Sequence, residues 1–260
     1  MTPQAKDEKV FKELLRSLNK ESLKKSFSQL VLEVGKILLD KPYQFRTLES
    51  NQAEQPLINL RRFDCVTFVE QVLAWVLLLR SRKRSFKSFQ GILQRIRYRN
   101  GRLNGYPSRL HYFSDWIYDN QKKGFLRDIT SKIGGRPFRK PIHYMTSHPE
   151  LYPPLKNPST FRAIQSIERR ISRHSFFFIP KKEVKQLEDR MSDGDLIAIT
   201  THRKGLDVAH VGLAVRLKNR IHLLHASSKE GKVVLSKKTL YRYLMEHRNY
   251  SGIMVARVVS

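Results

Sequence analysis

The feature that most constrains the fold is a long apolar segment within residues 61 to 80. Apolar side chains recur there at helical spacing, at Val66, Val69, Leu73, Val76 and Leu77. This spacing predicts a mostly buried helix, so the rest of the chain must build a core around it. The longest uninterrupted apolar run, Val72 to Leu79, is far shorter than the roughly 20 residues that a membrane-spanning helix needs.

Cys65 is the only cysteine in the chain and stands at the start of this segment. Asp64 is a favourable N-cap, which would place Cys65 in the first helical turn. The unpaired amides and the helix dipole there stabilise a thiolate, the form of cysteine that attacks carbonyl carbon. A lone cysteine can equally be a small buried apolar residue, so position alone leaves both interpretations open.

The length and the order of the elements predict an α+β chain. The 260 residues are enough for one large core. Residues 1–40 have leucines at helical spacing and predict two amphipathic helices, an N-terminal helical extension to a main domain over residues 41–260. From Gly194 onwards the apolar segments become short and turn-bounded, as strands are. Helices first and an antiparallel sheet later is the α+β pattern.

Positive charge dominates the composition, with a formal net charge of +27. Such a charge attracts polyanions, including an anionic cell-envelope surface, and it also serves solubility. No nucleic-acid-binding motif accompanies it, so we predict no specific nucleic-acid partner. One block without acidic residues, from position 71 to 114, contains ten of the basic residues: Arg80, Arg82, Lys83, Arg84, Lys87, Arg95, Arg97, Arg99, Arg102 and Arg109.

The cellular location is left open by these features. A single cysteine cannot form an internal disulfide, so it fits a reducing or an oxidising compartment. No secretory leader is recognisable near Met1. The chain is therefore predicted to be cytoplasmic, or to act outside the cytoplasm after a leader has been removed.

A predicted hairpin pairs two histidines. Lys218 and Asn219 suit a two-residue turn between strands at 209–217 and 220–228. Cross-strand partners around such a turn have residue numbers with an odd sum, so His210 and His225 share one face, directly or diagonally opposite. His222 points to the other face because strand residues alternate.

The two faces of this hairpin differ in side-chain size. The histidine face also carries Gly212 and Ala214, so we expect a helix to lie close against it. Val211, Leu213 and Val215 on the other face suit an ordinary core. Two histidines on one face can be structural as well as catalytic, and a register shift of one residue would separate them.

Four segments together resemble a known family: Phe63–Glu70, Arg109–Trp116, Gly205–Gly212 and Leu223–Ser228. They are similar to the N-acetylmuramoyl-L-alanine amidase-like family, in the NlpC-type branch of papain-like bacterial cell-wall cysteine hydrolases. The resemblance runs from about Pro42 to Arg257. It implies a papain-like, NlpC-type α+β fold in which the catalytic-cysteine helix packs on a small antiparallel, barrel-like sheet.

The resemblance also implies roles for residues. Cys65 would be the nucleophile, His210 the general base, His225 the residue that orients it, and Tyr43 a group that stabilises the oxyanion. The implied reaction cleaves the amide between N-acetylmuramic acid and L-alanine in peptidoglycan through a thioester, without metal or other cofactor, in a periplasmic or secreted enzyme. We add six candidates for the substrate cleft: Arg109, His111, Tyr112, Asp115, Trp116 and Tyr144.

Four alternatives remain open. The same residues could serve an endopeptidase that cuts between D-glutamate and diaminopimelate, or an acyltransferase. The chain could instead be a basic polyanion-binding module with an inert cysteine. A zinc site of Cys65, His210 and His225 is a further possibility, although no fourth ligand is apparent.

Overall fold

The computed structural model describes residues 2–18, 21–49 and 54–259. Within these ranges the chain forms nine α-helices: α1 Pro3–Ser17, α2 Phe27–Ile37, α3 Cys65–Arg80, α4 Phe86–Arg97, α5 Phe113–Lys122, α6 Tyr144–Ser147, α7 Pro158–Arg173, α8 Val184–Leu187 and α9 Leu240–Met245. The strands in the same ranges are β1 Leu126–Asp128, β2 Arg136–Phe138, β3 Phe176–Pro180, β4 Leu196–Thr201, β5 Val208–Leu217, β6 Arg220–Ser227, β7 Lys232–Thr239 and β8 Tyr250–Val258.

All eight strands belong to one antiparallel sheet. Its order is β2-β3-β8-β4-β5-β6-β7, and β1 pairs with β8 beside this path. The α+β prediction is therefore confirmed, and the strands predicted after Gly194 are β4 to β8. Three short strands, β1 to β3, precede them and were not predicted, since segments of three to five residues carry little periodicity.

The N-terminus of α3 is closed by a reciprocal cap. Asp64 Oδ1 accepts a hydrogen bond from the Thr67 amide at 2.8 Å, and Thr67 Oγ1 accepts one from the Asp64 amide at 3.0 Å. This confirms Asp64 as N-cap and Cys65 as the first helical residue. Most of the remaining side chains of α3 are buried, as the apolar pattern predicted.

The two faces of the β5–β6 hairpin pack against different helices. α3 packs against Val211, Leu213 and Val215, where its large apolar side chains meet an equally large aliphatic surface. The face with Gly212 receives the short helix α9, through Leu240 and Leu244, so the helix expected on this face is present. A Cβ at Gly212 would lie 2.8 Å from the Leu224 carbonyl oxygen, so this glycine admits the neighbouring strand rather than a helix.

The N-terminal helices share the core of the main domain. Phe11 of α1 stacks on Trp75 of α3 with ring centroids 4.9 Å apart. Leu30 and Val31 of α2 are completely buried in the same apolar cluster. The two predicted amphipathic helices are confirmed, and they close one side of the helix that begins at Cys65.

In the part of the chain that the structure describes, no helix has the length and apolar character to cross a membrane.

Candidate active site

A cavity of about 1010 Å³ opens where the N-terminus of α3 meets strands β5, β6 and β7. Its wall includes Tyr43, Cys65, His210 and His225, which come from distant parts of the sequence. The fold therefore brings to one cavity the four residues to which the resemblance assigns the chemistry.

Cys65 lies half-buried in this wall, and its sulfur accepts hydrogen bonds from the backbone amides of Val66 and Val211. Val211 follows His210 directly in β5. Burial raises the pKa of the Cys65 thiol to about 12, and the charge of Asp64 adds to the rise, while the backbone hydrogen bonds lower it. The predicted resting thiolate is therefore wrong: desolvation outweighs the helix N-terminus, and the thiol is protonated at neutral pH.

The hairpin prediction is confirmed in turn, register and face. Lys218 and Asn219 have φ of 46° and 63°, as a two-residue turn of mirror-image type requires. Leu213 pairs with Leu224, which gives the predicted odd sum. His210 Nε2 and His225 Nδ1 lie 2.6 Å apart, within hydrogen-bond distance.

Both histidines are neutral at neutral pH. Burial lowers the pKa of His210 to about 3, and His225 and His247 lower it further. Burial also lowers the pKa of His225 to about 4. Because the contact uses Nε2 of His210, the other ring nitrogen, Nδ1, remains for a different partner.

Tyr43 reaches the cavity through a short parallel bridge to Phe63. The Tyr43 amide donates to the Gly231 carbonyl at 2.8 Å, and the Gln44 amide donates to the Phe63 carbonyl at 2.9 Å. Burial, then the charges of Cys65 and Asp64, raises the pKa of Tyr43 to about 12, so the phenol keeps its proton. Within the described residues its hydroxyl has no hydrogen-bond partner, which leaves a donor available in the cavity wall.

Arg109 and Tyr112 line the cavity, but both Nη atoms of Arg109 and the Tyr112 hydroxyl already have partners. Arg109 donates to Glu49 at 3.0 Å and to Glu54 at 2.8 Å, so its charge is already balanced. The Tyr112 hydroxyl donates to buried Glu168 at 2.6 Å.

His111 and Tyr144 also line the cavity. His111 Nε2 lies 2.9 Å from the Tyr106 carbonyl oxygen, and burial lowers the pKa of its ring to about 3. The Tyr144 hydroxyl accepts a hydrogen bond from Arg203 at 3.3 Å. Four of the six cleft candidates thus face the cavity.

Asp115 and Trp116 do not line it. Trp116 is completely buried and stacks on Phe113 with centroids 4.7 Å apart. Asp115 forms an ion pair with Arg99 at 2.7 Å and is 5 % exposed. Both side chains of α5 point into the protein interior, and this corrects their assignment to the substrate cleft.

An aromatic cluster beside the histidines was not predicted from the sequence. The ring centroid of Tyr243, in α9, lies 5.5 Å from that of His225 and 6.3 Å from that of His210. Tyr243 also forms a side-chain hydrogen bond with Tyr250 and packs on His247. The sequence shows only a tyrosine on a short helix, because its neighbours depend on where α9 docks.

The acid-free block of basic residues is not one continuous solvated face. Arg97 pairs with Glu70 at 2.8 Å, with both side chains 2 % exposed. Arg99 pairs with Asp115 at 2.7 Å. Glu70 and Asp115 lie just outside the two ends of the block. Counting charges within the block therefore overstates the positive charge that has no acidic partner.

For the described ranges, no group of three or more histidine, cysteine, aspartate or glutamate side chains is arranged to hold a metal ion. The geometry therefore gives no support to a zinc site of Cys65, His210 and His225.

A family model described as AmiA-like, N-acetylmuramoyl-L-alanine amidase-like, matches residues 33–253. A solved N-acetylmuramoyl-L-alanine amidase from Bacteroides uniformis is 40% identical with a TM-score of 0.85, over 90% of this chain and 99% of that one. A structure titled putative xylanase from Bacteroides fragilis is also 40% identical, with a TM-score of 0.81 over 87% of this chain and 99% of that one. A Legionella pneumophila protein, 22% identical with a TM-score of 0.73 over 99% of this chain and 96% of that one, shares the fold. No curated protein sequence matches the chain.

Proposed function

The chain belongs to the N-acetylmuramoyl-L-alanine amidase-like family, and on this basis we propose that it hydrolyses peptidoglycan with Cys65 as nucleophile. The proposed bond is the amide between N-acetylmuramic acid and L-alanine. The enzyme would be of the papain-like, NlpC type, and would act outside the cytoplasm as a periplasmic or secreted protein.

The observation that carries the proposal is the contact of 2.6 Å between His210 and His225 in the wall of the cavity that also contains Cys65. A cysteine nucleophile needs a neighbouring base, and that base needs a partner that orients it. One ring nitrogen of His210 meets His225, and the other is free to face the thiol.

In the proposed first step, the thiol proton passes from Sγ of Cys65 to Nδ1 of His210 as sulfur attacks the lactyl carbonyl carbon of the muramoyl group. The transfer accompanies the attack because thiol and imidazole are both neutral at rest. The Cys65 amide and the Tyr43 hydroxyl stabilise the oxyanion. His210 then protonates the alanine nitrogen, the C–N bond breaks, and the muramoyl group stays on sulfur as a thioester.

In the second step, a water molecule gives a proton to Nδ1 of His210 and attacks the thioester carbonyl. The C–S bond breaks, the proton returns to sulfur, and the muramoyl carboxylic acid leaves. Throughout both steps Nε2–H of His210 donates to Nδ1 of His225. This contact holds the proton on Nε2 and leaves Nδ1 as the base.

The test is digestion of a defined muramoyl tripeptide, with products identified by mass. Free muramic-acid product plus intact tripeptide supports the amidase. Cleavage between D-glutamate and diaminopimelate would instead identify the endopeptidase, and transfer of the muramoyl group to an added amine would identify an acyltransferase.

Cys65→Ala separates the enzyme from a polyanion-binding module. We expect complete loss of turnover with unchanged circular dichroism. An alkylating reagent should inactivate the wild type, whereas a chelator should not. Unchanged hydrolysis by Cys65→Ala would overturn the proposed nucleophile.

A further inference from the structure

The strand β7 forms one edge of the sheet, and only its first part is covered. The segment before Tyr43 pairs with this part: the Asp40 amide donates to the Val233 carbonyl at 3.0 Å, and the Val233 amide donates to the Lys41 carbonyl at 2.9 Å. Both backbone groups of Val233 therefore point away from β6, towards the outer edge.

The next outward-pointing residue is Leu235. The register runs without a shift through three pairs, Ala226 with Val233, His225 with Val234 and Leu224 with Leu235, and it shifts only beyond Leu235. Backbone direction alternates along a strand, so the N–H and C=O of Leu235 point outwards like those of Val233. Among the backbone hydrogen bonds that the described residues form outside their helices and sheet ladders, none uses Leu235, and Leu235 lines the active-site cavity. An uncovered edge of this kind can take an extended peptide as an added strand.

The cavity wall around this edge carries a small excess of positive charge. Lys232 pairs with Asp40 at 2.6 Å, and Lys238 pairs with Glu246. Lys229 and Lys237 line the same cavity and are exposed, and neither forms an ion pair within the described part of the chain. The exposed carboxylate of Glu230, beside Lys229, offsets one of these two charges. A peptide with free carboxylates would therefore meet two available ammonium groups beside the open edge.

The edge lies at a definite distance from the proposed reaction centre. Val234 is the direct cross-strand partner of His225. Neighbouring strands are about 4.8 Å apart, so a chain on the outer edge of β7 lies about 10 Å from β6. About three extended residues span that distance.

We propose that the open edge of β7 at Leu235, with Lys229 and Lys237, binds the acidic stem peptide of the peptidoglycan substrate in an extended conformation. This assignment of the occupant rests on the proposed function. In the proposed complex, one residue of the peptide exchanges backbone hydrogen bonds with Leu235, and the carboxylates of D-glutamate and diaminopimelate face the two lysines.

The test measures binding without turnover. The full chain with Cys65→Ala is titrated calorimetrically with the free tripeptide L-alanyl-γ-D-glutamyl-diaminopimelate and with L-alanine amide. We expect the tripeptide to bind more tightly by tenfold or more, because L-alanine amide is too short to reach the edge. Equal affinities for the two compounds would overturn the proposal.

Two further substitutions in that background locate the site. Leu235→Pro removes the outward N–H, and proline is tolerated where an edge-strand N–H has no partner. We expect it to raise the tripeptide Kd about fivefold to tenfold. Leu235→Ala keeps the N–H, so it is expected to raise the Kd less than Leu235→Pro does. Lys237→Glu should raise the Kd about tenfold, whereas the control Lys185→Glu, exposed and outside the cavity, should not.

These outcomes separate the inference from the proposed function. If neither Leu235→Pro nor Lys237→Glu changes the tripeptide Kd, the proposed edge site is wrong, even if the wild type hydrolyses muramoyl tripeptide as proposed. If Leu235→Pro is unfolded by circular dichroism, Lys237→Glu alone decides. If these substitutions weaken tripeptide binding but the wild type does not hydrolyse muramoyl tripeptide, the proposed amidase activity is wrong and the proposed peptide-binding site is supported.

Discussion

The buried ion pair of Glu70 and Arg97 joins α3, the helix that begins at Cys65, to α4. Breaking this pair should lower the stability of the fold substantially. Glu70 is in α3 and Arg97 in α4, with Arg97 Nε donating to Glu70 Oε2 at 2.8 Å. Arg97 Nη1 also donates to the Leu57 carbonyl at 2.6 Å. Each side chain is 2 % exposed, so neither charge has solvent to replace its partner.

Glu70→Gln keeps the side-chain volume and removes only the negative charge. The guanidinium of Arg97 cannot release its proton, so it stays charged and buried without a counter-charge. Removing one partner of a buried pair costs about 3–5 kcal/mol. We therefore expect Glu70→Gln to lower the free energy of unfolding by that amount.

Arg97→Met should cost less, and its cost should depend on pH. Burial already raises the pKa of Glu70 although Arg97 opposes the rise. Without Arg97 the carboxyl can protonate, and a raised folded-state pKa gives stability that is present at low pH and lost as pH rises through that pKa. The variant should therefore approach wild-type stability below pH 4.5, the ordinary pKa of the carboxyl, and lose it progressively as the pH rises above that value.

Urea unfolding monitored by tryptophan fluorescence measures these effects, since Trp75 and Trp116 are both completely buried. The matched control is Glu183→Gln, which breaks an exposed pair with Arg136 at 3.2 Å. That control should cost about 1 kcal/mol or less. A loss for Glu70→Gln as small as that of Glu183→Gln would refute the claim that burial makes the pair costly to break.

Three further predictions concern the proposed chemistry. Tyr43→Phe should lower kcat about 100-fold in steady-state assays, with KM unchanged, because it removes an oxyanion donor alone; an unaltered kcat would exclude that role. His225→Ala should lower kcat about tenfold or more, with His225→Asn partly restoring it, because an acceptor for Nε2–H of His210 returns; equal kcat values for the two variants would contradict the orienting role. The rate of Cys65 alkylation by iodoacetamide should rise about tenfold per pH unit between pH 6 and 9, because burial raises the thiol pKa to about 12; a plateau near neutral pH would indicate a preformed thiolate.

Local periodicity allowed much of the site to be predicted. The helix that begins at Cys65 follows from its apolar spacing and the cap at Asp64, both of which act within a few residues. The shared face of His210 and His225 follows from the alternation of strand residues on either side of a two-residue turn.

Contacts between distant segments could not be predicted in the same way. Tyr43 comes to Cys65 through a bridge to Phe63, and no spacing rule joins residues 20 positions apart across an irregular loop. Trp116 was a candidate for the substrate cleft because aromatic residues occur in clefts as well as in cores. Only the packing of α5 shows that its side chain lies in the core.

By itself the sequence determined which elements form and which side chains share a face, because hydrogen bonding and alternation within a helix or hairpin depend on neighbours along the chain. Only the tertiary structure decided the protonation of Cys65 and the open edge at Leu235. Desolvation of a thiol depends on everything packed around it, and an edge is open only if no distant segment covers it.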